Sequence, residues 1–390
     1  MNLALFFDSL PDELTAPTAA PTTVAAYVTR FADTFPDWRT ADLALIGLDE
    51  WRGTAAGPPA QHGANRVRER FYQLQRGNAP LRLVDLGNLR PGLTLEDTYE
   101  RLREVVAALL EANTLPLLLG GGHDLDTGQF MAYEPHQESM PAINFAVIDS
   151  RPDMALPSPY TSPEDSHLRR LLLHEPNFVF SCAHLGHQQY LTPPSVLAAF
   201  EKLHFETMSV GELRTDRRLA EPLLRQANFL SVDIAAIRWP DAPGYHPASP
   251  FGLSSDDATQ LCWYAGHNEQ LTSLGLYGYR PDYDPHGLAA TTLATMLWYF
   301  IEGYYHRRPE TGFGTFRFLT YTLVLPGPNL PTELKFYKSR RIDTDKWWLE
   351  VESLADHTLK RIVPCTHQDY LHAAQGDLPQ RWIRTQALLG

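Results

Sequence analysis

Short, continuous apolar runs constrain the fold of this chain more than any other feature, because they alternate with longer segments of helical periodicity. A helical segment at 95–113, for example, has apolar residues at the spacing of one buried face. Runs of five or six residues without polar alternation are typical of strands buried on both faces, which occur in parallel sheets covered by helices. The sequence therefore predicts a three-layer α/β/α protein with a mostly parallel central sheet. The strand-like runs lie at 42–47, 81–86, 115–119, 143–148 and 227–232.

The composition indicates which classes of partner and which cellular compartment suit this chain. The 390 residues carry a formal net charge of −13 and no run of five basic residues, which argues against nucleic acid and anionic membranes as partners. No apolar stretch approaches the roughly 20 residues of a spanning helix. The three cysteines are far apart and in no C-x-x-C pair, so we expect a reducing, cytoplasmic location.

A composition change near 307–309 divides the chain in two. We predict one α/β domain at 1–309, in which residues 1–40 form an irregular or helical lead-in. The remainder, 310–390, is interpreted as a C-terminal extension that packs on this domain through Trp347, Trp348 and Trp382.

Polar residues follow three of the predicted strands. His123 comes after a triple glycine, Asp149 follows the run at 143–148 with Asp153 four residues later, and Asp233 follows the run at 227–232. The carboxyl ends of parallel strands open into one crevice, where such side chains meet. One histidine and three aspartates suit Mn²⁺ or a similar cation, although each residue alone has an ordinary explanation as a cap, turn or loop residue.

The order and spacing of these residues resemble the arginase/agmatinase/formiminoglutamase superfamily. Its motifs G-G-[DG]-H, D-x-H-x-D and S-x-D-x-D are similar to residues 120–123, 149–153 and 231–235 of this chain. The triple glycine is most similar to the formiminoglutamase branch. Weaker similarities at 44–47, 242–244, 252–254 and 280–284 extend the resemblance over residues 40–306.

The resemblance implies two Mn²⁺ ions that together activate a water molecule, but this chain departs from that pattern. The ligands of the first metal would be His123, Asp149, Asp153 and Asp233, and all are present. The two ligands private to the second metal are replaced by Arg151 and Ala235. The glutamate with which the family holds the cationic group of its substrate corresponds here to Gly278.

Charge counting indicates what the altered site can hold. Three aspartates are balanced by one divalent ion plus Arg151, whereas a site without metal keeps an uncompensated negative charge. We therefore predict at most one divalent metal, Mn²⁺ before others, and a metal-free site stays open. The guanidinium of Arg151 is expected to take the place of the second metal and to donate to Asp149 or Asp233.

Two functions follow from this interpretation. The first is a protein without guanidino or formimino hydrolase activity, retained for binding, assembly or regulation. The alternative is a mononuclear metal-dependent C–N hydrolase with an altered substrate, for which Asp153 and His167 are the candidate catalytic residues. A loop position exposed to solvent is the simpler interpretation of His167, and surface or packing roles that of His184 and His187. The resemblance also implies a small-molecule ligand and a homo-oligomer.

Overall fold

The central sheet of the computed structural model contains ten strands, and the structure describes residues 2–15, 20–77, 80–134, 142–325, 333–341 and 345–390. Its strands run in the order β1-β4-β3-β5-β10-β9-β6-β7-β8, with β2 also paired to β4. β1 is antiparallel to β4, and the other pairings are parallel. The strands are β1 (Phe7–Asp8), β2 (Val28–Arg30), β3 (Leu43–Gly47), β4 (Leu83–Leu89), β5 (Leu115–Leu119), β6 (Ile143–Ile148), β7 (Val179–His187), β8 (Glu206–Ser209), β9 (Phe229–Asp233) and β10 (Ser273–Tyr277).

Helices connect these strands and cover the sheet. In the part of the chain that the structure describes, none of them is both long and apolar enough to cross a membrane. The helices up to residue 305 are α1 (Asp12–Thr15), α2 (Gly63–Phe71), α3 (Leu95–Glu111), α4 (Asp126–Met131), α5 (His167–Leu172), α6 (Pro194–Lys202), α7 (Val210–Thr215), α8 (Glu221–Gln226), α9 (Ser255–Gly266) and α10 (Leu288–Tyr305).

Successive residues of the central strands pack into different hydrophobic clusters, because side chains alternate across a strand. In β3, Leu45 shares one cluster with Phe71 of α2, whereas Ile46 shares another with Val105 of α3. Both faces of the sheet are therefore buried under helices. This arrangement confirms the predicted three-layer α/β fold with a mostly parallel sheet.

The amino-terminal segment differs from the lead-in expected from the sequence. It contributes β1 and β2 to the sheet, with Phe7 and Val28 buried on β4. Strands of two or three residues are too short to give a periodic signal, and their pairing comes from the neighbouring strand.

The carboxyl-terminal extension forms a second, antiparallel sheet in the order β11-β12-β13-β14. Trp347 and Trp382 lie in the hydrophobic cluster of the extension itself, so the expectation that they pack on the larger domain is wrong. Trp348 does face that domain, since the guanidinium of Arg225 in α8 lies 4.5 Å from its ring centre. The elements are β11 (Phe318–Leu323), β12 (Leu334–Ser339), β13 (Trp347–Glu352), β14 (Lys360–Cys365), α11 (His367–Ala374) and α12 (Gln380–Leu389).

Candidate metal centre

The turn after β5 brings His123 under the carboxyl edge of the sheet. Gly120 adopts φ +90° there, and a side chain at this position would place its Cβ 2.7 Å from the carbonyl oxygen of Leu48. Glycine is the residue that tolerates such a backbone close to a neighbouring strand. The triple glycine thus has a structural reason, and it directs a fully buried histidine toward the ends of β6 and β9.

The ring of His123 lies between a hydroxyl group and two carboxylates. Its Nε2 is 2.8 Å from Ser231 Oγ. Its Nδ1 is 3.3 Å from Asp149 Oδ2 and 3.4 Å from Asp233 Oδ2, yet makes no hydrogen bond with any described residue. Burial, with the nearby His167, lowers the pKa of His123, which favours the neutral ring that ligates metals.

Asp149 and Asp153 lie in the loop after β6 and are both buried. Burial and the charge of Asp153 raise the pKa of Asp149 well above its usual value. Burial opposes ionisation of Asp153 as well, but the nearby ring of His167 and its charge, followed by the charge of Arg151, hold the pKa of Asp153 at about 2. One carboxyl group of the pair Asp149 and Asp153 thus tends to keep a proton unless a cation replaces that proton.

His167 is not exposed to solvent, contrary to the simpler interpretation of the sequence. It begins α5, has 1% of its surface exposed, and lies with its ring centre 4.1 Å from that of His123. Its Nδ1 is 2.9 Å from Asp126, and its Nε2 is 3.6 Å from Asp153 Oδ2. Burial acts against the charged ring, but these carboxylates, Asp126 first, raise the pKa of His167 well above its usual value.

Asp126 is a site residue that sequence reasoning missed. It is fully buried on the turn after His123, accepts a hydrogen bond from Ser231 Oγ at 3.3 Å, and faces His167. The sequence offered one signal for it, a second acidic residue close after the glycine-histidine motif. The direction of the Asp126 side chain, however, depends on the short helical turn that begins at His123.

Asp233 ends β9 and accepts a 2.6 Å hydrogen bond from Ala235 N. Burial and the charge of Asp149 raise the pKa of Asp233 to about 7. Gly278 is directly beside it, with φ +79°, and a Cβ at that position would lie 2.7 Å from Asp233 Oδ1. Position 278 therefore lacks the glutamate that the resemblance implies, and its backbone conformation disfavours any side chain.

Arg151 does not bind the carboxylates that the sequence predicted. Its Nε donates to Asp153 Oδ1 at 2.9 Å, and its Nη2 donates to Asp165 Oδ1 at 2.6 Å. The prediction of a donor to Asp149 or Asp233 is thus wrong. With 49% of its side chain exposed, the guanidinium keeps part of its hydration, which costs less than full burial beside the other two carboxylates.

These residues open onto a cleft of about 500 Å³. Asp149, Asp153 and Asp233 lie in its walls together with Arg151, Ala235 and Gly278. Another wall carries Glu164, which no motif indicated; burial and the charge of Asp233 raise the pKa of its carboxyl group to about 8. Other lining residues include Trp51, Thr54, Tyr190, Tyr245, Phe251 and Arg280.

His184 and His187 have packing roles, which was one of the two interpretations. Both are buried in β7, and burial lowers the pKa of His184 to about 3. Both rings are therefore neutral at ordinary pH.

The donor set fits a divalent cation. His123, Asp149, Asp153 and His167 each offer a ligand atom, and these atoms lie within 4.8 Å of one another. Asp233 approaches the same nitrogen of His123 as Asp149 does. A buried imidazole nitrogen without a hydrogen bond, facing two carboxylates, is an arrangement that a cation with nitrogen and oxygen ligands satisfies.

Comparison with known proteins identifies curated relatives of this chain. The chain is 24% identical over 255 residues to a formimidoylglutamase of Cupriavidus pinatubonensis, covering 61% of this chain and 79% of the relative. It is 25% identical over 287 residues to that of Salmonella paratyphi C, covering 70% and 88%.

Solved structures show the same fold at low identity. The crystal structure of Trypanosoma cruzi formiminoglutamase with Mn²⁺₂ superposes with a TM-score of 0.63 at 22% identity, over 70% of this chain and 96% of that one. Formimidoylglutamase from Bacillus subtilis gives 0.65 at 16% identity, over 76% and 97%. The model of the arginase family matches residues 41–302, two thirds of the sequence. The chain belongs to the arginase family and within it is similar to formiminoglutamase.

Proposed function

We propose that this protein is a one-metal member of its family that binds a small ligand in the cleft and does not hydrolyse guanidino or formimino compounds by two-metal chemistry. One observation carries the proposal. The chain retains the four residues of one metal position, three of them in the wall of the cleft, while the two positions private to a second metal carry a methyl group and a guanidinium that turns to Asp165.

The chain's own residues support a single cation. His123, Asp149, Asp153 and Asp233 would hold it, and His167 offers a further nitrogen within reach. A bound divalent ion supplies charge that polarises a ligand oxygen or nitrogen. Arg151 adds a fixed positive charge at the cleft mouth instead of a second metal ligand.

Metal titration tests the proposal. We expect calorimetric titration of the metal-stripped chain with Mn²⁺ to give one site per chain. The double variant Arg151→His, Ala235→Asp restores the two missing ligand types and is expected to bind a second ion. Two ions in the wild type would contradict the proposal, as would turnover of arginine, agmatine or formiminoglutamate that scales with Mn²⁺.

A second candidate function is single-metal hydrolysis of a C–N bond in an altered substrate. The observation that favours it is His167, whose contacts with Asp126 and Asp153 favour the protonated ring beside the candidate metal ligands. A protonated imidazole in that position can donate a proton to a departing amine.

Ammonia release from a panel of amides and amidines that carry a carboxylate tests this candidate. Single-metal hydrolysis requires turnover that depends on Mn²⁺. The variant His167→Gln should lower this turnover by roughly 100-fold or more, the range of general acid–base catalysis. Equal turnover in the wild type and His167→Gln would contradict it.

A further inference from the structure

Glu164 is an acidic residue that neither the metal position nor the family motifs account for. It begins the short 3-10 turn Glu164–Ser166, and its backbone N–H donates to the carbonyl oxygen of Gly53 at 3.0 Å. Its side chain lines the same cleft as Asp149 and Asp233.

The carboxylate of Glu164 forms no hydrogen bond or ion pair with any residue that the structure describes. The neighbouring Asp165 is engaged differently, since it accepts from Arg151 Nη2 and from Ser162 Oγ, both at 2.6 Å. A partly buried carboxylate among other acids is costly unless a cation joins it. Arg151, held by Asp153 and Asp165, does not fill that role.

Contacts across the loop fix the position of Glu164. Arg151 bridges Asp153 at the start of the loop and Asp165 at its end, and the backbone N–H of Ala155 donates to the carbonyl of Asp165 at 3.0 Å. We call these contacts the Arg151 clamp. Since Glu164 is adjacent to Asp165, the clamp holds the backbone that carries Glu164 at the cleft.

Two aromatic side chains at the cleft mouth offer an apolar surface to a ligand. The rings of Tyr190 and Phe251 lie 6.3 Å apart, edge to face, and remain 67% and 58% exposed. Both line the cleft that contains Glu164. A ligand with a charged head and an apolar chain would cover both features.

We propose that Glu164 is a specificity-determining carboxylate that binds the positively charged head of an organic cation, and that the Arg151 clamp positions it. It would act from the loop after β6, whereas residue 278, at the end of β10, is a glycine with no carboxylate. The inference rests on the proposed function in one respect, namely that the cleft binds a small ligand beside a single metal.

The test compares two probes of similar shape, n-butylguanidinium, which is charged, and n-butylurea, which is neutral. Both are titrated calorimetrically into the full-length chain loaded with Mn²⁺ at pH 8.5. We expect the cation to bind at least roughly tenfold more tightly than the urea, as for a charge-assisted hydrogen bond. Glu164→Gln should abolish this preference, whereas Glu201→Gln, which removes an exposed carboxylate of α6, should retain it.

Arg151→Ala tests the clamp. We expect it to lower the ratio of cation affinity to n-butylurea affinity, because a structural collapse would weaken the binding of both probes and leave their ratio unchanged. Arg151→Lys, which keeps the charge but not the two-pronged geometry, is expected to restore part of the preference.

Counting metal in the same samples separates the two proposals. One Mn²⁺ per chain without any preference for the cation overturns the assignment of Glu164 alone. Two Mn²⁺ per chain contradict the proposed function, while a preference that depends on Glu164 would still support the assignment. If Glu164→Gln weakens Mn²⁺ binding but keeps the preference, Glu164 is a metal ligand and the inference is wrong.

Discussion

Replacing Asp233 with asparagine should stabilise the metal-free protein, although Asp233 is one of the candidate metal ligands. The carboxyl group is buried beside Asp149, and burial first, then that neighbouring charge, raises its pKa to about 7. Asparagine keeps an oxygen for the hydrogen bond from Ala235 N and removes the charge.

The magnitude follows from linkage between protonation and folding. In the unfolded chain an aspartate titrates near 3.9, so ionising Asp233 in the fold costs on the order of 4 kcal/mol. Between about pH 4 and pH 7 the folded state holds a proton that the unfolded state has released, so this contribution to stability falls as pH rises and is fully lost above 7. Because relaxation and water entry reduce such penalties, we expect a gain of about 2 kcal/mol for Asp233→Asn at pH 8.

Urea unfolding in EDTA at pH 8 and pH 4 measures this effect. The gain should be present at pH 8 and absent at pH 4. Asp241→Asn is the matched control: burial acts against ionisation there, but the ion pair with Arg238 and the hydrogen bond from Ser255 N hold the pKa of Asp241 below its usual value, so its loss should destabilise at pH 8. With Mn²⁺ present, Asp233→Asn should be less stable than the wild type, because the substitution removes a metal ligand. If Asp233→Asn is no more stable than the wild type in EDTA at pH 8, the reasoning is refuted.

Two further predictions concern the framework around the site. Arg68→Met should destabilise the fold by roughly 3–5 kcal/mol, because it leaves the fully buried Asp85, now bonded to Arg68 at 2.7 and 2.9 Å, without its cation; an unchanged urea midpoint would contradict this. Gly278→Ala should lower the free energy of unfolding by about 1–3 kcal/mol, since φ is +79° and the new Cβ would meet a carboxylate oxygen. Gly57→Ala, with φ +64° in open space, should cost less stability. Equal losses of stability at the two glycines would show that the contact contributes nothing.

The sequence was sufficient for the fold because its strongest signals are local. The run at 143–148 coincides with β6 (Ile143–Ile148), and the run at 115–119 coincides with β5 (Leu115–Leu119). Continuous apolar strands are typical of a parallel sheet covered on both faces, and the carboxyl ends of its strands meet at one edge. For that reason the positions of His123, Asp149 and Asp233 along the chain are enough to predict that their side chains lie near one another.

The parts of the site that were missed depend on loop closure. His167 and Glu164 lie in the chain after β6, which carries no periodic pattern, and the contact between Arg151 and Asp165 spans fourteen residues. Arg151 had several carboxylates within its reach. Its contacts lie at the cleft mouth, where the guanidinium stays half exposed and keeps part of its hydration, a property that neither motif nor composition encodes.

Anomalous diffraction tests the central claim most directly, on crystals grown with excess Mn²⁺ and measured at the manganese absorption edge. The account predicts one anomalous peak per chain, between His123 and the carboxylates of Asp149, Asp153 and Asp233, with Arg151 still bound to Asp165. Two peaks separated by roughly 3.5–4 Å, the spacing of two-metal sites, would contradict it.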